Sequence, residues 1–261
     1  MVKVALRELR SNGTPVAEVS NGVHQLTTHV SDMDFSFNRY LISGDERPLS
    51  HAGLRCLFSS VSEAVSRVVP IDAMRWISLG QVEADDCRSM NDWLAVAPQS
   101  FAAHGMTGRM VSLTDLADRL AGPLTIGDVL DIGGHRRNWL DAPHIPHGWE
   151  AGLFYDETTR TLLCGNLFTQ TGARPATTTE DIVGPAIAGE DQFRASSLAP
   201  VGGATIRRLA ELGIGTLALM HGPAYAGDRR GALLDVADDF HKPVAAAVNS
   251  SLSRFIVTGL H

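Results

Sequence analysis

The densest chemistry in this 261-residue sequence lies in Leu79-Gly80-Gln81-Val82-Glu83-Ala84-Asp85-Asp86-Cys87, where three carboxylates fall within four positions. Unshielded, Glu83, Asp85 and Asp86 repel one another, and a hard or borderline cation would neutralise them. The plainer alternative is a solvated helix start, because acidic side chains favour the positive end of a helix dipole and Ser89 to Leu94 could continue that helix. A second cluster, Pro143-His144-Ile145-Pro146-His147-Gly148-Trp149-Glu150, holds two histidines bracketed by prolines. Neutral imidazole is a common transition-metal ligand. Alone, such a pair reads better as one packed and one solvated ring. Further on, Asn166 follows Leu162-Leu163-Cys164-Gly165, and His221 follows Leu217 to Met220 and precedes Gly222-Pro223.

For these residues to act together, several strands must end at one edge, which is where ligands gather in α/β folds. The sequence offers them. Pro15 to Ser20, Gly22 to Val30 and Asn38 to Ser43 alternate as strands, and Asn21-Gly22 supplies hairpin-turn chemistry. Leu57 to Val69 has helical spacing closed by Pro70, and Met74 to Leu79 reads as a buried strand leading into the acidic run. Leu113 to Leu120 predicts a helix with Thr114 as N-cap over Asp115. Asp128 to Ile132 and Trp139-Leu140 flank the turn-prone Gly133-Gly134. Gly152 to Tyr155 and Thr161 to Cys164 flank a polar turn at 156 to 159. Residues 171 to 202 read as a long surface insertion of the kind that covers a site. Ile206 to Leu212 is helical, Thr216 to Met220 a strand, and Asp228 to Asn249 a last helix that Pro243 should kink.

The order Gln-x-Glu-x-Asp-Asp, His-x-Pro, Gly-Asn at a strand end and His-Gly-Pro resembles the metallo-β-lactamase superfamily. It is most similar to the branch of flavodiiron and oxygen-binding di-iron proteins, over roughly Phe35 to Tyr225. The resemblance implies an α/β fold, an αββα sandwich of two mixed sheets flanked by helices, formed by 1 to 261 as one domain. It also implies a dinuclear site at one sheet edge. Gln81 and Glu83 with one histidine would hold one metal, Asp85, Asp86 and His221 the other, and Asn166 would bridge them. His144 matches the His-x-Pro spacing better; His147 is the second choice, or else a substrate-facing residue. Two iron ions are favoured by the carboxylate-rich first motif, with zinc as the alternative. Occupancy stays open, because the family usually has histidine at Gln81, aspartate at Asn166 and often histidine at Asp86. A neutral amide cannot supply the anionic bridge that holds two cations together.

Function divides accordingly. A di-iron protein would bind oxygen or nitric oxide, a diatomic gas, and would need a separate reductase, since no flavodoxin-like segment is evident in the sequence. A hydrolase would act on an ester, lactone or phosphodiester, with Asp85 or Asp86 moving protons as catalytic residues. A metal-poor relative would keep the fold to bind a small molecule or partner. No Gly-x-Ser-x-Gly element supports a serine hydrolase. His24, His29, His51, His104, His135, His241 and His261 fall outside the motif order and read as surface or packing histidines.

Composition narrows the partners. With 29 acidic and 22 basic residues, the formal charge is -7 and no basic run exceeds a pair, which argues against nucleic acid. No apolar stretch approaches the roughly 20 residues of a spanning helix, and the first residues lack a secretory core. Three cysteines without CxxC spacing suggest neither a disulfide framework nor a zinc knuckle. The expectation is a soluble, cytoplasmic protein, with no membrane partner and a homodimer allowed.

Overall fold

The computed structural model describes residues 13–123, 129–131, 133–197, 199–240 and 242. The chain opens with β1 (Val16–Ser20), β2 (Val23–Val30) and β3 (Phe35–Ile42), then β4 (Leu49–Ser50). The Asn21-Gly22 turn between β1 and β2 needs its glycine, since Gly22 has φ 71°. Helix α1 (Phe58–Ser66) buries Val61, Ala64 and Val65, and ends before Pro70. There follow β5 (Trp76–Ser78), α2 (Ala84–Cys87), α3 (Met90–Val96) and β6 (Phe101–His104). A helical segment then runs as α4 (Met106–Gly108), a π turn (Arg109–Leu113) and α5 (Thr114–Leu116), before β7 (Gly122–Pro123).

The second half comprises β8 (Val129–Asp131), β9 (Arg136–Asp141), β10 (Gly152–Asp156), β11 (Thr161–Leu163) and β12 (Thr177–Thr178). After them come α6 (Val183–Phe193), α7 (Gly202–Leu209), β13 (Thr216–Ala218) and β14 (Ala224–Tyr225). A last helix, α8, occupies 229–240. The strands form two seven-stranded mixed sheets, ordered β1-β2-β3-β4-β5-β6-β7 and β12-β14-β13-β11-β10-β9-β8.

Burial shows how the layers stack. Val23, Tyr40 and Ile42 from the first sheet meet Trp139, Phe154, Leu163 and Ala218 from the second, forming the core between sheets. Leu26, Leu41, Leu49 and Ile77 turn the other way, onto α1 and α3 through Val61, Val65, Trp93 and Leu94. Leu153, Leu162 and Leu217 likewise pack on α7 and α8 through Ile206, Leu209, Leu233 and Val236. Each sheet is therefore apolar on both faces, and the architecture is the αββα sandwich.

Some local expectations need correction. The helix expected from Leu113 starts at Met106 and ends at Leu116. Thr114 therefore sits inside the helical segment, and its hydroxyl donates to the Arg109 carbonyl instead of capping. Within the expected loop 171–202, β12 and α6 supply regular structure. The apolar residues Val183, Ala186 and Ile182 pack that stretch on the core, which a Gly, Pro and Thr count conceals. The hairpin around Gly133-Gly134 is present as β8 and β9, whereas Asp128 and Ile132 lie outside the described residues, as do Pro243 and the expected kink. No described helix is long and apolar enough to cross a membrane.

Candidate metal centre

The acidic run leaves β5 in a tight loop held from below. Asp86, fully buried, accepts the backbone N–H groups of Gly80 at 2.8 Å and Gln81 at 3.0 Å. Its second oxygen lies 3.1 Å from His51 Nδ1, off the direction of a hydrogen bond. Asp86 is thus turned inward as a clamp on the loop, while Glu83 and Asp85 face the cavity and the buried Gln81 lies against Glu83. The helix-start reading is met in part: α2 begins here with Asp85 and Asp86 in its first turn, but Asp86 is buried instead of solvated. From the second sheet, Glu150 accepts the Val82 N–H at 3.0 Å and Gly152 donates to the Gly80 carbonyl at 2.9 Å.

The histidine brought to this loop is His147. Its Nε2 donates to Glu83 Oε2 at 2.9 Å and lies 3.4 Å from Gln81 Nε2 and 3.3 Å from Asn166 Nδ2. Gln81 Nε2 donates to the same Glu83 oxygen at 3.2 Å. The Glu83 hydrogen bond raises the His147 pKa above its ordinary value, against the opposing effect of burial. His144, the sequence-based first choice, adopts a left-handed φ of 65°, donates its N–H to the Gly148 carbonyl, and makes no side-chain hydrogen bond among the described residues.

Asn166 follows Gly165, whose φ of 51° turns the chain out of β11 toward the site. Its Oδ1 is buried without a partner among the described residues, as is His147 Nδ1. His221 leaves β13 through Leu219 and Met220, and β3 holds that exit. Asn38 Nδ2 donates to the Leu219 and Gly222 carbonyls at 2.8 and 2.6 Å, and the Tyr40 hydroxyl donates to Leu219 at 2.6 Å. The His221 ring packs against Phe35 at a centroid distance of 4.5 Å and edge-on to Phe37 at 5.3 Å. Its Nδ1 donates to the Ser36 carbonyl at 2.9 Å, and its Nε2 faces Asp85 Oδ2 at 3.1 Å. Burial raises the Asp85 carboxyl, but the hydrogen bond and charge of His221 outweigh it, so its pKa falls below the ordinary carboxylate value.

Two histidine–carboxylate pairs therefore stand side by side, both opening into a cavity of about 570 Å³ walled by Phe35, Phe168 and Phe193. With Nδ1 committed to Ser36, His221 Nε2 can meet the Asp85 carboxylate only through a proton or a cation. Glu83, His147 and the two amide oxygens, reached by rotating Gln81 and Asn166, can likewise surround one cation. Among the described residues no three His, Cys, Asp or Glu side chains form an ion site without those amides. The donors at the first position are one carboxylate, one imidazole and two neutral amides, and position 166 carries no charge to bridge a second ion.

Several contributors carry no motif. Ser36 acts through its backbone carbonyl, Asn38 through backbone partners far along the chain, and Phe35 through ring packing, so residue type gives no signal for them. Phe168, flanking a motif, does wall the cavity, whereas Trp149 is 58% exposed and is not part of its lining.

Solved structures share this fold at low identity. A fragment (1–254) of diflavin flavoprotein A 5 from Nostoc sp. PCC 7120 superposes with a TM-score of 0.78 and 16% identity, covering 92% of this chain and 99% of that one. The flavodiiron protein of Giardia intestinalis gives 0.71 and 16%, covering 88% of this chain, which spans only 60% of its length. Rubredoxin oxygen:oxidoreductase from Desulfovibrio gigas gives 0.74 and 10%, covering 88% and 62% of the two chains. No curated protein matches the sequence. Residues 35–198, more than half of the sequence, match the family model described as ODP family beta lactamase, and the chain belongs to that family.

Proposed function

We propose that this protein binds iron at two unequal positions and takes up a diatomic gas, dioxygen or nitric oxide. One observation carries the reading. The Glu83–His147 pair at 2.9 Å, between the amides of Gln81 and Asn166, lies beside the Asp85–His221 pair at 3.1 Å, and both face one cavity. Glu83, His147, Gln81 and Asn166 would hold the first ion, and Asp85 with His221 the second, more weakly. Carboxylate oxygens beside imidazole favour iron.

Iron would supply reversible electron chemistry toward the gas. The chain's own residues do the rest. Glu83 balances the ion's charge, and Ser36 fixes the His221 tautomer so that Nε2 turns its lone pair toward Asp85 and the second position. Phe35, Phe168 and Phe193 give the cavity beside the pairs an apolar wall. The Desulfovibrio gigas neighbour is by name an oxygen:oxidoreductase of rubredoxin, which supports a gas substrate and a separate electron donor.

Anaerobic ferrous loading, with metal analysis and optical spectra under nitric oxide, tests this. The expected result is about one iron per chain at equimolar metal, rising toward two in excess, with a nitrosyl absorption band. Protein that retains no iron after desalting refutes it.

A second reading has one observation in its favour. The cavity of about 570 Å³ lies within the roughly 300–1,000 Å³ of small-molecule sites and exceeds what a diatomic gas needs. It suits a metal-dependent hydrolase of an ester or lactone. Turnover of such substrates with zinc, lost in Asp85→Asn, would establish it.

A further inference from the structure

At the end of the second sheet opposite Asn166 and His221, the lining of a separate pocket of about 310 Å³ includes Arg160, Gly213, Ile214, Asp228, Arg229 and Arg230. Arg160 stands in the turn before β11, Gly213 and Ile214 lie just before β13, and Arg229 and Arg230 begin α8. These are the starts of parallel strands, whereas the metal centre lies at their ends. We infer that this pocket binds a small phosphomonoester through its phosphate, held on the arginines.

The charge is the first argument. In a chain of net charge -7, three guanidiniums line one hollow. Among the described residues, Arg160 and Arg229 have no carboxylate partner, and Arg230 meets only Glu211, at 3.1 Å with both side chains more than half exposed. Such an exposed pair is weak and readily displaced. Asp228 also lines the pocket, and its Oδ1 is engaged at the start of α8, accepting the Gly231 N–H at 2.9 Å.

Helix stability does not explain the arrangement either. Arg229 and Arg230 occupy the first turn of α8, where the dipole disfavours cations and favours an anion. Backbone ties do explain part of it: Arg160 Nε donates to Gly213 O at 2.6 Å, and Arg229 Nε and Nη1 donate to Ile214 O and Ala226 O at 3.3 and 2.6 Å. Those ties fix the guanidinium planes. They leave Nη2 of Arg229 and Nη1 of Arg230 without an acceptor among the described residues, while the Arg160 guanidinium also reaches the Tyr155 hydroxyl. Preorganised forks of this kind match a phosphate dianion with three acceptor oxygens. The volume of about 310 Å³ limits the ligand to a compact phosphate.

Calorimetric titration of the full chain with phenyl phosphate tests the site. One saturable site is expected, weakened by salt, with inorganic phosphate competing and phenol not binding. Arg160→Gln and Arg230→Gln should each weaken it about tenfold, equivalent to about 1.4 kcal/mol. Arg230→Gln breaks no backbone tie, so its unfolding midpoint without ligand should match the wild type while the stabilisation by phenyl phosphate shrinks. Iron stoichiometry should not change in either variant, which keeps this outcome separate from that of the metal centre. Absence of saturable binding overturns the inference. So does affinity that survives Arg230→Gln unchanged, or binding lost in His147→Ala but kept in Arg160→Gln.

Discussion

His221 Nε2 lies 3.1 Å from Asp85 Oδ2 across 136 residues of sequence, with its other ring nitrogen bound to the Ser36 carbonyl at 2.9 Å. The ring has one free direction, and it points at a carboxylate. That geometry is what a metal ligand needs.

Restoring charge and imidazole should strengthen the centre. Gln81→His with Asn166→Asp is expected to raise bound iron from about one to about two per chain, because an anionic bridge offsets repulsion between cations. Elemental analysis after desalting measures this, and unchanged stoichiometry contradicts the assignment of Asn166.

The two histidines of the proline-bracketed segment should behave differently. His147→Ala removes the ring beside Glu83 and is expected to lower iron affinity by at least about tenfold, or about 1.4 kcal/mol. His144→Ala should leave it unchanged. The reverse ranking in a competition titration would show that the ligand is His144.

Acidity supplies a signed test. The His147 pKa is raised above 6.5 chiefly by its hydrogen bond to Glu83. In metal-free protein the pair therefore adds stability that is fully present below the unfolded pKa and lost as pH rises through the folded one. Iron needs the neutral ring, so iron affinity should run the other way and increase across the same window. Thermal midpoints of metal-free wild type and His147→Gln should converge as pH rises; a wild-type advantage that grows with pH reverses the sign.

Asp86 should matter to folding more than to metal. Asp86→Ala leaves the N–H groups of Gly80 and Gln81 without their acceptor, a loss of about 1.5–3 kcal/mol for hydrogen bonds to a charged group. Chemical denaturation should show this deficit with the protein free of metal. If stability is unchanged and only iron is lost, Asp86 is a ligand and not a clamp.

Much of this was legible in residue types and order. The hairpin at Asn21-Gly22, the buried strand before the acidic run, and the turns at Gly133-Gly134 and 156–159 rest on local chemistry, so the sequence alone determined them. The motif order from Gln81 to His221 likewise implied the sandwich and the set of candidate ligands. What tertiary structure decided is which way each group faces. His144-Ile-Pro fits the spacing better, yet the turn around Gly148 carries His147 to Glu83. Asp85 and Asp86 are neighbours in sequence, but consecutive residues of a helical turn point about 100° apart, so one meets His221 and the other disappears under the loop. Ser36, Asn38 and Phe35 act through a carbonyl, distant backbone partners and ring packing, and such contacts leave no trace in a linear pattern because they exist only once two sheets have closed on each other.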